Sequence, residues 1–449
     1  MATATAVDIG ALLDKQKLSL YHLGTIVLCV LVIIVDAADT GSGNVAGPAI
    51  LRAFPADRSM LGWVFASAGI GVFFGSLIFG YIGDRYGRRV GVILSVLLYS
   101  VPEICTMLSG SLEQVMIWRF LTGLGIGGAI PNTIALLNEA APKRFRASFV
   151  VVAFIGYATG TALAGQIAAR LTPVYGWYAV FVAVGAAGLV LSLLLIARLP
   201  ESIRFRAVTQ PESPALRQHL MRVFPTVGIG PATRLVLQHE QTGKASLRDL
   251  FAGDLKLTTP LLWLSYFFEA FTYLGYTAWL TTIMEAQGLT QQQAAFAFSY
   301  AGMGGIFVLL CLARPLDKFG PLASVVSASL AVAMLISLGA SGLTIAAYTI
   351  LATVAHACGA GTHNSLNSTV AMFYPTRVRS NGVGWATAAG RIGGAVGPLT
   401  IGYVFSAKYS LDTVLYVVAA PYLAVIALNI MLGLIYRRQF VVAPLAAGE

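Results

Sequence analysis

Charged residues are scarce in this sequence. They make up 11% of the 449 residues, whereas soluble domains carry about a quarter. Hydrophobic residues make up 57%, and the mean hydropathy is +0.77. So little charge excludes an ordinary soluble domain, because its surface would lack polar groups. The composition instead indicates an integral membrane protein whose surroundings are a lipid bilayer.

Signatures of catalysis and metal binding are also missing. The four cysteines, at positions 29, 105, 311 and 358, show no paired spacing, which argues against disulfides and against a zinc site. The sequence contains no phosphate-binding glycine loop with its lysine and no nucleophile elbow. "GLGIGG" (123–128) lies within an apolar run, where glycines serve helix packing. We therefore expect neither an enzyme nor a cofactor.

Long apolar runs dominate what the sequence does contain. Each run of roughly twenty residues is long enough to cross the hydrocarbon core as a helix. We predict an all-α membrane protein with twelve transmembrane helices. The predicted spans are 22–46, 60–82, 90–110, 114–138, 147–170, 177–199, 258–283, 294–314, 321–341, 344–371, 382–406 and 412–435.

The predicted spans divide into two groups of six. We expect one six-helix bundle over 1–200, a cytoplasmic linker over 201–257 and a second bundle over 258–449. The halves repeat weakly, because "GYIGDRYGRR" (80–89) follows the second span and "ARPLDKFG" (313–320) follows the eighth. A repeat of six helices is typical of transporters that rock one half against the other.

The net charge of +10 reflects topology and gives no reason to expect nucleic acid. Most of the 29 Lys and Arg fall on one side of the predicted membrane, which is the positive-inside pattern. This pattern predicts that both termini are cytoplasmic. We expect a monomeric multi-pass protein of the inner (plasma) membrane, with no cleaved leader.

Several motifs resemble those of the major facilitator superfamily. "GDRYGRR" (83–89) resembles its signature loop, and "RFLTGLGIGGAIPN" (119–132) and "LPESIRF" (199–205) resemble its fourth- and sixth-helix motifs. "NEAAPKRFRA" (138–147) and "YPTRVRSNGVGWATAAGRIGGAVGP" (374–398), with the paired aspartates of the first span, resemble the aromatic acid:proton symporters. The resemblance implies two pseudo-symmetric six-helix halves and proton-coupled uptake of a hydroxybenzoate-type acid by alternating access.

The resemblance also implies a conformational latch in the loop after the second span. Its glycines permit a tight turn and close helix approach, while its charged residues would hold the two halves in one state. The residues expected to form the latch are Gly80, Gly83, Asp84, Gly87, Arg88 and, after the eighth span, Asp317. The sequence departs from the branch in three places. Ala37 stands where the branch usually has glycine, and Glu269 lies in a region expected to be uncharged. The second-half loop has Pro315, and Lys318 where arginine is usual, so we expect a weaker latch there.

Asp36 and Asp39 lie three residues apart inside the first span and share a helix face. Two ionised carboxylates at that depth would repel each other, so one is expected to hold a proton. A rise of about 1.5 Å per residue places Arg119 level with Asp39, which predicts an ion pair and leaves Asp36 to take the transported proton. Alternatively, both acids merely pair with basic residues. Glu269 completes the proton-coupling set. The sequence assigns Glu103 no role; its place next to Pro102 makes it a candidate for the lining of an outer vestibule.

Arg391 lies near the midplane of the eleventh span, where such carriers bind substrate. Its planar donors suit a carboxylate, so we predict that it binds an anionic substrate; the alternative is a salt bridge with Glu269 or Asp36. Further candidates for substrate contact are Tyr273, Tyr276, His363, Asn364, Asn367 and Trp385.

Other functions remain open at this point. The same fold could carry another organic anion or a sugar, or the protein could be a membrane sensor that transports nothing. Export by proton exchange is disfavoured, because exporting members have a Gly-Pro pair in the fifth helix and "GYATGTALAG" (156–165) has no proline.

Overall fold

The computed structural model describes residues 6–15, 20–210, 213–223, 233–236, 246–340, 342–375 and 377–438. These residues include twelve helices of 17 or more residues, which we number in chain order. The helices are α1 (Leu20–Ala53), α2 (Arg58–Tyr86), α3 (Arg88–Cys105), α4 (Leu112–Ala140), α5 (Arg146–Tyr175), α6 (Ala179–Arg198), α7 (Leu255–Ala286), α8 (Gln291–Phe319), α9 (Leu322–Leu338), α10 (Ile345–Phe373), α11 (Arg379–Ser406) and α12 (Leu411–Tyr436).

The twelve helices coincide with the twelve predicted spans, and the predicted fold class is confirmed. Within the described residues, nine helices are long and apolar enough to cross a membrane by length and composition alone. The apolar helix α9 is shorter, at 17 residues. Threonine, tyrosine and tryptophan lower the mean hydropathy of α7, as glycine does in α11. The largest difference in bounds is in α1, which continues past the predicted end at 46 as far as Ala53.

Short polar side chains start several of the helices. Ser111 accepts a hydrogen bond from the Gln114 backbone N–H at the start of α4, and Thr290 and Gln293 form a reciprocal capping box at the start of α8. A single residue, Gly87, separates α2 from α3; its φ of 112° lies in the left-handed region that glycine adopts without strain. The tight turn predicted for this glycine is therefore confirmed.

Glycines allow the closest helix contacts within each half. In α2, a Cβ at Gly75 would collide with the backbone of Leu124 in α4, and a Cβ at Gly127 of α4 would collide with the backbone of α2. In the second half, Gly397 of α11 packs in the same way against the backbone of Phe271 in α7. The glycine motif at 123–128 thus serves helix packing, as predicted.

The N-terminal segment and the linker form a small layer against the bundle. Strand β1 (Ala6–Asp8) pairs in parallel with strand β2 (Arg234–Val236). The other short elements of these two segments are helices Ile9–Lys15, Ile203–Thr209 and Pro214–Val223 and a 3₁₀ helix at Leu247–Phe251. Two further 3₁₀ helices, Thr106–Leu108 and Lys143–Phe145, lie between the long helices of the first half. The three short α-helices share one buried cluster that consists of Ile9, Ile203, Ala207, Leu216 and Leu220. Leu250 of the 3₁₀ helix packs in a different cluster, within the second half. The described part of the linker therefore buries apolar side chains of its own.

We call the end of the bundle where α1 begins and α12 finishes the terminal end, and the opposite end the far end. At the far end, Arg52 of α1 forms an ion pair with Glu285 of α7, with 2.5 Å between Nη1 and Oε2. Trp63 of α2 donates its indole N–H to the hydroxyl of Tyr403 in α11 at 3.2 Å. A third contact joins the halves where the Arg58 guanidinium lies over the Phe405 ring. These six residues define the far-end seal.

Candidate functional site

A cavity of about 430 Å³ lies between the two halves. Helices α1, α2, α4 and α5 line it from the first half, and α7, α10 and α11 line it from the second. Five of the predicted site residues lie in its wall, namely Asp36, Arg119, His363, Asn367 and Arg391. Its volume is within the range of small-ligand pockets.

Asp36 is fully buried in α1, at the cavity wall. Among the described residues, neither of its carboxyl oxygens has a hydrogen-bond partner. It interacts electrostatically with Arg391 across the cavity, although the two do not form an ion pair in the described structure. An acid in this position is balanced only when it holds a proton or when a cation approaches it.

Arg391 of α11 lines the same cavity from the second half. Its Nη1 donates a hydrogen bond to the backbone carbonyl of Val72 in α2, at 2.9 Å. The described residues include no carboxylate in salt-bridge contact with this guanidinium, so neither predicted salt bridge, to Glu269 or to Asp36, is formed. A guanidinium has five N–H donors, and donors therefore remain for an anion.

A second buried cluster lies beside the cavity in the first half. Arg119 Nη1 is 3.2 Å from Asp39 Oδ1, which confirms the ion pair predicted from helix depth. The same nitrogen is 2.5 Å from Glu103 Oε2. The side chains of all three residues are at most 4% exposed. Glu103 therefore belongs to this cluster and not to an outer vestibule.

Glu103 lies at the same depth as Arg119, as a count of residues along the two helices shows. Glu103 lies eight residues before Ser111, and Arg119 lies eight residues after it, on helices that run in opposite directions. Equal spacing from a shared turn places the two side chains at one depth. The spacing in the sequence was therefore sufficient to predict the contact between Glu103 and Arg119.

A third polar pair lies in the second half. Glu269 of α7 is fully buried, and its Oε2 is 2.6 Å from Nδ1 of His363 in α10. The His363 side chain is 31% exposed and lines the cavity. The Tyr273 ring stacks on this imidazole, with 5.2 Å between ring centroids. His363 therefore connects the buried Glu269 to the cavity. The sequence did not predict the contact between Glu269 and His363.

The structure does not place three predicted substrate contacts in the cavity wall. Tyr276 is buried in the apolar core and donates its hydroxyl to the Ala352 carbonyl of α10. Tyr273 lies against His363, and Asn364 donates to the Ala360 carbonyl of its own helix at 2.9 Å. The face of α7 that carries Tyr273 and Tyr276 packs against α10. A neighbouring face of α7 borders the cavity.

Other aromatic residues line the cavity instead. Tyr157 of α5, Tyr266 of α7 and Phe65 of α2 contribute to its wall. The Tyr266 hydroxyl donates to Asn367 Oδ1 at 2.8 Å, which fixes the direction of that amide. A single aromatic residue in an apolar helix has no sequence pattern that distinguishes a cavity wall from packing, so these residues were missed.

A second cavity of about 530 Å³ adjoins the first at Arg391 and Pro131. It lies nearer the terminal end, because Asn381 and Trp385 from the first turns of α11 line it. Trp385 is half exposed and stacks on Trp263, with 5.8 Å between ring centroids. The predicted contact of Trp385 therefore belongs to this second cavity.

The charged residues of the predicted latch contact the first half. Arg88 forms ion pairs with Asp84 and with Glu139, whose Oε1 is 3.2 Å from Arg88 Nε. The Asp317 side chain lies outside the described residues.

The two other glycines of the predicted latch differ from each other. Gly83 packs tightly against the side chain of Asn132 in α4, whose amide donates to the Phe79 carbonyl at 3.0 Å. A Cβ at Gly80 would meet nothing within 4 Å. The close helix approach predicted for Gly80 is therefore wrong, and it is present at Gly83.

Comparison with known proteins connects this architecture to transport. The family model described as Major Facilitator Superfamily matches residues 28–398. The chain is 31% identical to the 4-hydroxybenzoate transporter PcaK of Pseudomonas aeruginosa over 433 residues, which are 96% of each protein. It is 30% identical to the benzoate transport protein of Acinetobacter baylyi, over 89% of this chain and 87% of that protein.

A solved structure has the same fold. The partially occluded inward-open xylose transporter XylE of Escherichia coli matches with a TM-score of 0.69 and 16% identity, over 94% of this chain and 98% of that one. At this identity the likeness concerns the fold alone.

Proposed function

Because the chain belongs to the major facilitator superfamily, we propose that it imports a small aromatic carboxylate together with a proton by alternating access. Superfamily members are transporters and not enzymes. Relatives that align with nearly the whole chain are named for 4-hydroxybenzoate and benzoate. A hydroxybenzoate-type acid is therefore the proposed substrate class.

The observation that carries this proposal is a central arginine without a carboxylate partner among the described residues. Arg391 lines the cavity, and its one described hydrogen bond goes to a backbone carbonyl. The carboxylate of the substrate would accept two parallel N–H bonds from this guanidinium. Phe65, Tyr157 and Tyr266 would surround the ring.

Ring substituents would meet the polar residues of α10. His363 and Asn367 line the cavity on the side of the second half. Asn367 accepts from Tyr266 through Oδ1, so its amide N–H groups are directed elsewhere and can donate to a ring hydroxyl. Trp385, in the second cavity, would contact the ring on its way to or from the central cavity.

Asp36 would couple the substrate to the proton. When Asp36 is ionised, its charge attracts Arg391 and competes with the anion; when it is protonated, Arg391 is available to the substrate. Substrate and proton are therefore bound together and released together. Asp39 with Arg119, and Glu269 with His363, would hold the remaining buried charges of the two halves.

The proposed transport cycle moves the first bundle (1–200) against the second (258–449), joined by the linker (201–257). We place the protein in the inner membrane as a monomer, with both termini in the cytoplasm. The far-end seal then faces outward. The second cavity then lies on the cytoplasmic side of Arg391. This arrangement corresponds to an inward-facing state; among the described residues, the ion pairs of Arg88 are with Asp84 and Glu139 of its own half.

Uptake into proteoliposomes tests the proposal. Purified protein would be supplied with radiolabelled benzoate, 4-hydroxybenzoate or the uncharged 4-hydroxybenzamide, with and without an inward proton gradient. We expect the two acids to accumulate only with the gradient and the amide not to accumulate. Acid uptake that ignores the gradient would contradict proton coupling, and no uptake of either acid would contradict the substrate class.

A further inference from the structure

Glu103 is a fully buried acid to which the proposed function assigns no role. Its Oε2 contacts Arg119 Nη1 at 2.5 Å, and its Oε1 is 2.5 Å from the hydroxyl of Ser42. Asp39 Oδ1 contacts the same Nη1 at 3.2 Å. One guanidinium nitrogen therefore serves two carboxyl groups.

The charges of this cluster do not balance when both acids are ionised. Two negative charges would then face one positive charge, on side chains that are at most 4% exposed. An unbalanced charge removed from water is strongly unfavourable. A proton on one of the acids removes the imbalance.

The groups that face the cluster from neighbouring elements do not supply the missing positive charge. Asp36, one turn away on α1, is a further acid, and Tyr99 on α3 is a neutral phenol. From α6, the Phe181 ring lies 5.6 Å from the Arg119 guanidinium. Arg391, across the cavity, interacts with Asp36.

The Ser42 hydroxyl gives a second, independent sign of a proton. Its oxygen lies 2.6 Å from the backbone carbonyl oxygen of Asp39 and 2.5 Å from Glu103 Oε1. A hydroxyl has one proton to donate, so a proton on Glu103 lets the acid donate to Ser42 while Ser42 donates to the carbonyl. Among the described residues, the second oxygen of Asp39 is buried without any donor, as expected for a carboxyl that is not fully ionised.

Arg119 connects this cluster to the central cavity. Its guanidinium lies against the bare backbone of Gly43, where a Cβ would be 2.9 Å from Nη2. Both Gly43 and Arg119 line the cavity. A change in the charge of the acids behind Arg119 therefore acts on a cation that an anion in the cavity can reach.

We propose that Asp39 and Glu103 share one proton beneath Arg119, and that Glu103 is thereby a positioning residue for this arginine. With one shared proton, one carboxylate balances one guanidinium. A second proton on the pair leaves Arg119 without a carboxylate and makes it available to the substrate anion. The identity of that anion rests on the proposed function, whereas the shared proton does not.

Infrared spectroscopy of the purified full-length protein tests the shared proton without any substrate. We expect a protonated-carboxyl absorbance at neutral pH, part of which is lost in both Glu103→Gln and Asp39→Asn. Glu285→Gln is the matched control, because Glu285 is paired one-to-one with Arg52 and its removal should leave this component intact. An absorbance that is unchanged in both variants would overturn the proposal.

The pH profile of uptake gives the second readout. Glu103→Gln should shift the midpoint of the profile by about one pH unit or more, the size expected for coupled sites, whereas Glu103→Asp should stay closer to the wild type. A lower rate with an unchanged profile would show a merely structural role and overturn the positioning role. If Glu103→Gln does not fold, Glu103→Asp and Asp39→Asn carry the infrared test. Failure of the wild type to transport any aromatic acid would concern only the proposed function.

Discussion

Asp36 and Arg391 face one cavity from opposite halves of the molecule, and they interact electrostatically without forming an ion pair in the described structure. Because both residues line the cavity, a charged group bound there would lie near each of them. Their interaction also means that the charge state of the acid in one half affects the arginine of the other. Two of the predictions below follow from this relationship.

Replacement of Arg391 by glutamine should weaken binding of the acid substrate about 10- to 100-fold, since a hydrogen bond to a charged group contributes roughly 1.5–3 kcal/mol. Lysine should restore part of the loss, because it keeps the charge and loses the planar fork. Competition by unlabelled acid and by its amide measures the effect. Equal weakening for acid and amide would contradict direct carboxylate binding.

Replacement of Asp36 by asparagine should abolish accumulation driven by a proton gradient. Exchange of labelled for unlabelled substrate should persist, because the neutral side chain mimics the protonated acid and leaves Arg391 free for substrate. Counterflow assays in proteoliposomes separate the two activities. Wild-type accumulation in Asp36→Asn would exclude this residue as the proton carrier.

Breaking the Arg52–Glu285 pair should shift the population toward a state that is open at the far end. The Arg52 side chain is about half exposed, so the pair contributes only about 0.2–1 kcal/mol. Glu285→Gln should therefore raise labelling of a cysteine introduced at the cavity wall less than about fivefold. The charge-swapped double variant should restore the wild-type labelling rate, and a failure to do so would show that the pair does not hold the seal.

The loop before α2 should remain insensitive to pH over the physiological range. A hydrogen bond from the Ser406 hydroxyl, with others from Ser59, lowers the pKa of the exposed Asp57 carboxyl from 3.8 to about 2. Because the pKa is lowered, these contacts stabilise the closed far end above about pH 4 and are lost as the pH falls toward 2. At pH 7, Asp57→Asn should raise the labelling rate of a cysteine introduced at the cavity wall. Without this substitution, the labelling rate should not change between pH 5 and 8.

Alanine at Gly75 should destabilise the protein by about 1–3 kcal/mol, the usual cost of overpacking, because its Cβ would meet the α4 backbone. Gly80→Ala on the same helix is the control, since nothing lies within 4 Å of that Cβ. Thermal unfolding in detergent compares the two variants. Equal melting temperatures would contradict the close packing of α2 on α4.

The sequence predicted positions along each helix better than directions around it. Depth counting gave the Asp39–Arg119 pair, because a helix advances by a fixed rise per residue. Glu269, Tyr273 and Tyr276 follow one another at i, i+4 and i+7 and so share a face of α7, but this spacing does not show that the face packs on α10 rather than on the cavity. Which face of a helix meets which neighbour is decided by the packing of the whole bundle.

The N-terminal segment shows a second limit of the sequence. Ala6–Asp8 lies far from Arg234–Val236 along the chain, and three residues are too few for a recognisable strand pattern. Their pairing depends on the bundle bringing both segments to the terminal end. No local signal could have predicted it.

The hydrogen bond from Arg391 to the Val72 carbonyl also matters for the substrate-free carrier, which has to return to the outward-facing state before it can bind again. A guanidinium that has delivered its cargo needs another acceptor, and a main-chain oxygen offers one whatever side chain occupies position 72. The side chains around the cavity, and with them the substrate preference, can therefore change in evolution while Arg391 keeps a hydrogen-bond acceptor in the empty carrier.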